Sequence, residues 1–129
     1  MLDPQIESTG GERWDELEGR GIGIEPSVIR RMRRLGFPVP DEQHRIVRTT
    51  AGIPVTEADL FYEPNLVVWV HGPPHEKQYV RERDERLRRE LKGLGYRPTE
   101  VWWNRIDEGL RELALALGLN DLANRIPAA

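Results

Sequence analysis

The chain has 129 residues, a formal net charge of -3 and no cysteine. That length suffices for one self-sufficient hydrophobic core, the missing cysteines exclude disulfides, thiolate metal sites and cysteine nucleophiles, and the charge gives no global pull toward nucleic acid. The longest apolar run, Leu66 to Val70, is too short to cross a bilayer and no charged-then-apolar targeting pattern opens the chain, so a soluble protein of the reducing cytoplasm is expected.

Residues 1–12, with Ser8, Thr9, Gly10 and Gly11, read as a flexible N-terminal segment ahead of a single domain over 13–129. Trp14 and Leu17 predict a short helix stopped by Gly19 and Gly21. Glu25-Pro26-Ser27 opens a second helix, because proline costs nothing in a first turn whose N–H groups are unpaired anyway; Val28, Ile29, Met32 and Leu35 form its apolar face and Gly36 ends it. After Pro38-Val39-Pro40, a strand is predicted over 43–50, a turn at Ala51-Gly52 and a pairing strand over 57–62. Strict alternation in the latter puts Ala58, Leu60 and Tyr62 on one face, and Glu57, Asp59 and Phe61 on the other. The run Leu66-Val67-Val68-Trp69-Val70 fits a central strand covered on both faces. His71-Gly72-Pro73-Pro74-His75 ends it, and a helix follows over 77–94 on an apolar stripe of Val80, Leu87, Leu91 and Leu94. Gly95 caps that helix, residues 99–103 return as a strand, Ile106, Leu110, Leu113 and Leu117 mark an amphipathic helix, and a last short helix is expected over 119–124. This order predicts an α/β fold: a central mixed sheet flanked by helices, with one crossover helix between the central strand and the last.

A sheet interior carries polar residues only for a reason, and several surround the central strand. Asp59 lies on the preceding strand, His71 ends the central one, His75 follows the turn, and Asp84 falls on the apolar stripe of the next helix, where it needs a partner such as Arg83 or Arg97. A carboxylate suits a hard cation and an imidazole titrates near neutrality. Asp59 and His71 are therefore expected to converge on a pocket able to hold a divalent ion, with His71 or His75 removing a proton from water. His44 reads as an ordinary strand residue. No HExxH zinc spacing, glycine-rich phosphate loop or serine nucleophile elbow is present. Two arginine-rich runs, one with Arg30 and Arg31 and one with Arg81, Arg83 and Arg88, read either as solvated helix faces or as phosphate contacts.

Taken together, Ala58-Asp59, the strand Leu66 to Gly72, His75, Glu82-Arg83-Asp84, Leu94-Gly95-Tyr96-Arg97 and Val101-Trp102 resemble the very-short-patch repair endonuclease group of the PD-(D/E)XK restriction-endonuclease-like class, and the nuclease domains attached to some helicases. The resemblance covers roughly residues 25 to 103. It implies a restriction-endonuclease-like core, Mg²⁺ (or Mn²⁺) on Asp59 with the Val70 backbone carbonyl, catalysis by His71 and His75, a supporting acid at Glu25 and a strand glutamine at Gln43. The wider class carries an acid where this chain has Trp69, and many relatives have Asp at the position of His71. The resulting expectation is a metal-dependent DNA endonuclease domain of a repair or defence system, alone or attached to a helicase or other larger protein. Two alternatives stand beside it. One is a catalytically inactive DNA-binding or protein-docking module on the same fold; the other is a regulatory partner docking through Trp102, Trp103 and the Ala-Leu-rich C-terminal helix.

Overall fold

In the computed structural model, residues 4–73 and 77–127 are described, with side chains over 11–73 and 85–127. The elements are α1 (Pro4–Arg20), α2 (Glu25–Leu35), β1 (Glu42–Arg48), β2 (Pro54–Tyr62), β3 (Leu66–His71), α3 (Lys77–Gly93), β4 (Arg97–Trp102), α4 (Ile106–Ala116) and α5 (Asn120–Arg125). The four strands form one sheet in the order β1-β2-β3-β4, with antiparallel pairs β1/β2 and β2/β3 and a parallel pair β3/β4. This is the expected mixed sheet, with α3 as the crossover that a parallel pair requires. Among the described residues no helix is long and apolar enough to cross a membrane.

Local chemistry accounts for the element ends. Pro26 sits in the first turn of α2, and Gly36 stops the helix at φ 91 with its N–H on the Met32 and Arg33 carbonyls. One difference from expectation lies at the start: α1 begins at Pro4 rather than near Trp14, and the Gly10-Gly11 pair falls inside it. Two glycines weaken a helix without forbidding it, and the buried Trp14 and Leu17 anchor its second half.

Two apolar layers enclose the sheet. On one face Leu60, Tyr62, Leu66, Val68 and Val101 pack against Trp14 and Leu17 of α1, Val28, Ile29 and Met32 of α2, and the apolar stripes of α4 and α5. On the other, Val47, Ala58, Phe61, Val67 and Trp69 pack against Leu91 and Leu87 of α3. Burying each such side chain stabilises the fold by about 1.5–3 kcal/mol. Strand β3 feeds both layers by alternation, which is why its sequence is apolar throughout.

Strand β2 does not alternate as expected. Ala58 joins the α3 face with Phe61, while Leu60 and Tyr62 join the other. The cause is a break in the ladder: β1 and β2 pair from Glu42↔Phe61 to Val47↔Thr56, but the pair between Gln43↔Leu60 and Arg45↔Ala58, which would be His44 with Asp59, is missing. His44 has φ 55, in the left-handed region. There both strands turn two successive side chains to the α2 side.

At the outer edge of the sheet, the Arg97 and Trp103 N–H groups bond to Asn65 and His71 carbonyls on the β3 side, so the outward positions of β4 are Pro98, Glu100 and Trp102. Pro98 has no N–H to offer, and the Trp102 carbonyl accepts from Arg105 N–H. Both features limit further pairing at the two ends of this edge.

Candidate metal centre

The ladder break puts a chemically distinct cluster at the corner of α2, β1 and β2. One donor atom from each of Glu25, His44 and Asp59 lies within 4.8 Å of the other two. Glu25 comes from the first turn of α2, is only 5% exposed, and meets the His44 Nε2 with both oxygens at 3.1 and 2.8 Å. Asp59 reaches the cluster from the gap where β2 and β3 stop pairing, since their ladder runs only from Leu60↔Val68 to Tyr62↔Leu66. In that gap the Val70 N–H donates to Asp59 Oδ2 at 2.6 Å, so a carboxylate stands in for the missing backbone acceptor.

The electrostatics of this corner are those of an anionic pocket short of cations. Burial pushes the Asp59 carboxyl up to about 6, Glu25 adds to the rise, and the Val70 N–H with the His44 and His71 rings works against it. Among the described residues, no lysine or arginine forms an ion pair with Glu25 or Asp59. Two carboxylates and one imidazole at this spacing fit a divalent cation, whose charge would offset the cost of holding both anions out of water. A cleft of about 450 Å³ between α1 and β1, lined by Arg13, Arg20, Gln43, His44 and Arg45, opens beside His44.

The structure separates the residues expected to share one pocket. His71 is not in the Asp59 cluster, although it lies near enough for its charge to favour the Asp59 anion. By the alternation of β3 it belongs to the Trp69 face, where its ring stacks on Trp102 at 4.3 Å between centroids. Its Nε2 stands 3.4 Å from Glu100 Oε1, and Arg88 donates to Glu100 Oε2 at 2.8 Å. The 3.4 Å contact lacks hydrogen-bond alignment and leaves both buried atoms otherwise unpaired, so Arg88 is the firmer partner. Burial opposes the Glu100 anion, yet the facing His71 ring and Arg88 guanidinium hold its carboxyl below the ordinary value. The larger concavity, about 690 Å³ along β4 and α4, borders Glu100 and Trp102 and does not include Glu25, His44 or Asp59. Convergent donors, rather than volume, identify the chemical site.

Of the other expected residues, Gln43 donates its amide to the Leu17 carbonyl, tying β1 to α1. Arg30 and Arg31 are held by Glu18 and Asp107, the latter through two bonds of 3.0 Å. Trp103 is 44% exposed, while Trp102 is half-buried against His71. His75 lies outside the described residues, and the side chains of Arg81, Arg83 and Asp84 do as well. Two residues not expected at a site are His44 and Glu100. Hairpin register offered a signal for the first, because a turn at Ala51-Gly52 sets residue 44 roughly opposite 59. Comparison with protein-family models, curated proteins and solved structures finds no match to this chain.

Proposed function

We propose that the chain is a metal-dependent DNA endonuclease domain, hydrolysing phosphodiester bonds with Mg²⁺ or Mn²⁺ held by Glu25, His44 and Asp59. The observation that carries this reading is the gathering of those three side chains, the buried Glu25 and the half-buried His44 and Asp59, at one corner of the sheet where no lysine or arginine among the described residues forms an ion pair with either carboxylate. The order helix, three antiparallel strands, crossover helix, parallel strand supports it, as that is the core which the resemblance to the PD-(D/E)XK class implies. The lack of cysteine accords with a cytoplasmic setting for such an enzyme.

A bound ion supplies charge neutralisation at the phosphoryl oxygens and a more acidic water. The chain supplies the rest. Glu25 and Asp59 offer hard oxygen ligands, with Asp59 fixed by the Val70 N–H. His71, expected as the proton acceptor, stands on the Trp69 face against Trp102 and Glu100, away from these three ligands, and is given no part in the reaction. The water oxygen would bond to phosphorus with its proton passing to solvent, one P–O ester bond would break, and the leaving oxygen would take a proton from solvent. Asp59→Ala is expected to abolish metal-dependent nicking of supercoiled plasmid while leaving the circular-dichroism spectrum unchanged. Equal nicking by wild type and variant would discard the assignment.

A second reading, an inactive DNA-binding or docking module, draws on Trp69, which is apolar and buried where the wider class has an acid. It also draws on the pairing of Arg30, Arg31, Arg33 and Arg88 with acids of the chain itself, which spends their charge internally. DNA retention with no cleavage in either Mg²⁺ or Mn²⁺ distinguishes it.

A further inference from the structure

We infer that His44 is a direct ligand of the ion, and that the site therefore selects a first-row transition ion such as Mn²⁺, Co²⁺ or Zn²⁺ over Mg²⁺. The inference rests on the metal-site reading above and names which ion chemistry that site prefers.

Three observations carry it. The Nε2 of His44 is the ring nitrogen that points into the cluster, facing both oxygens of Glu25. Two donors bound to one ion at about 2.1 Å each stand about 3.0 Å apart when adjacent and about 4.2 Å when opposite. The donor atoms here already lie within 4.8 Å of one another, so small side-chain rotations close the set. The second observation is Glu25, a carboxylate 5% exposed whose hydrogen-bond partner among the described residues is that same imidazole. One imidazole facing two carboxylates leaves an anionic excess that a divalent ion offsets. Third, both strands depart from alternation together, at His44 and at Asp59, and this turns the two side chains to the α2 side.

The chemistry of the donor set then decides the ion. Mg²⁺ favours oxygen and gives up its water reluctantly, so an imidazole in a set of three protein ligands works against it. Imidazole suits the borderline first-row ions best, and affinity for a nitrogen-containing site rises from Mn²⁺, the hardest of the series, to Co²⁺ and Zn²⁺. Asp59 contributes from the third side, where its carboxylate is already oriented by the Val70 N–H.

Manganese alone is the probe. The whole chain is titrated with Mn²⁺ and free ion is read by electron paramagnetic resonance, with Mg²⁺ as competitor. Electron spin-echo modulation then tests the bound ion for ¹⁴N coupling from an imidazole. Wild type is expected to bind Mn²⁺ with such coupling and to release it only to an excess of Mg²⁺ of about tenfold or more. His44→Asn is expected to lose the coupling and the preference, while His71→Asn keeps both; asparagine tolerates the left-handed backbone at this position, so the fold survives. A Mn²⁺ complex without ¹⁴N coupling, coupling that persists in His44→Asn, or no Mn²⁺ binding at all overturns the inference. Plasmid nicking on the same preparations separates this from the nuclease reading. Nicking with an ion bound through oxygen alone discards His44 and retains the nuclease; Mn²⁺ bound through His44 without nicking does the reverse.

Discussion

Burial raises the Asp59 carboxyl to about 6 from an ordinary 3.8, and Glu25 adds to the effect. Between those two values the folded chain binds more protons than the unfolded one, so this residue makes stability fall as pH rises through the window. Below it both states are protonated and the cost is gone; above it the fold carries a disfavoured anion. Asp59→Asn keeps an oxygen for the Val70 N–H and removes the charge. In chelator-treated buffer it is expected to melt above wild type at pH 8 and together with it near pH 4, as followed by circular dichroism. A gap that does not change with pH contradicts the assignment. Glu100 has the opposite sign: its lowered carboxyl contributes stability above the ordinary range, lost as pH falls through its folded value. Asp59 was singled out from the sequence, and Glu25 through the resemblance, and the structure brings the two together with His44. His44 was not, because strict alternation assigns each strand residue a face without regard to a missing pair.

At the level of the elements, α4 lies against β4 through Gly109. A Cβ there would stand 2.7 Å from the Glu100 carbonyl oxygen and 2.9 Å from the Val101 Cα, both backbone. Alanine in a helix interior gains about 1 kcal/mol over glycine by propensity, but overpacking against backbone costs about 1–3 kcal/mol, and here the contact is too close to relax cheaply. Gly109→Ala is therefore expected to lower Tm by several degrees, where Gly93→Ala, with nothing within 4 Å of its added carbon, lowers it little or not at all. Equal effects in thermal melts would refute the packing argument. The elements themselves were largely legible: α2 with its glycine stop, the apolar β3 and the Leu87 and Leu91 part of the α3 seam follow from periodicity and end signals. The face assignment along β2 was not, since Ala58 and Phe61 share a face three residues apart. Such an interval arises from pairing between strands, and a single strand's pattern does not contain it.

Across the whole molecule, the two apolar layers share the strands β2 and β3, so neither can dissolve without exposing the other's partners. Trp14 lies in one layer and Trp69 in the other, both buried. Urea transitions followed by tryptophan fluorescence and by far-ultraviolet circular dichroism are expected to coincide, including in variants that retain only Trp14 or only Trp69. Separate midpoints for the two tryptophans would divide the fold into independent units. The sequence made the layered α/β plan readable because long-range order followed element order. It did not reveal that Arg30, Arg31 and Arg88, singled out for DNA, are engaged by acids of this same chain, since Arg31 and Asp107 are 76 positions apart.

The left-handed residue in β1 carries two demands that come apart on substitution. Geometry alone would be content with glycine, asparagine or aspartate at position 44, and would resist valine, isoleucine or threonine, whose branched side chains pay most for a positive φ. Coordination alone would ask for an imidazole, or accept a carboxylate at the loss of nitrogen chemistry. Histidine also tolerates a positive φ and so answers both demands, whereas a survey of all other replacements, scored once for folding and once for ion capture, would rank them in different orders.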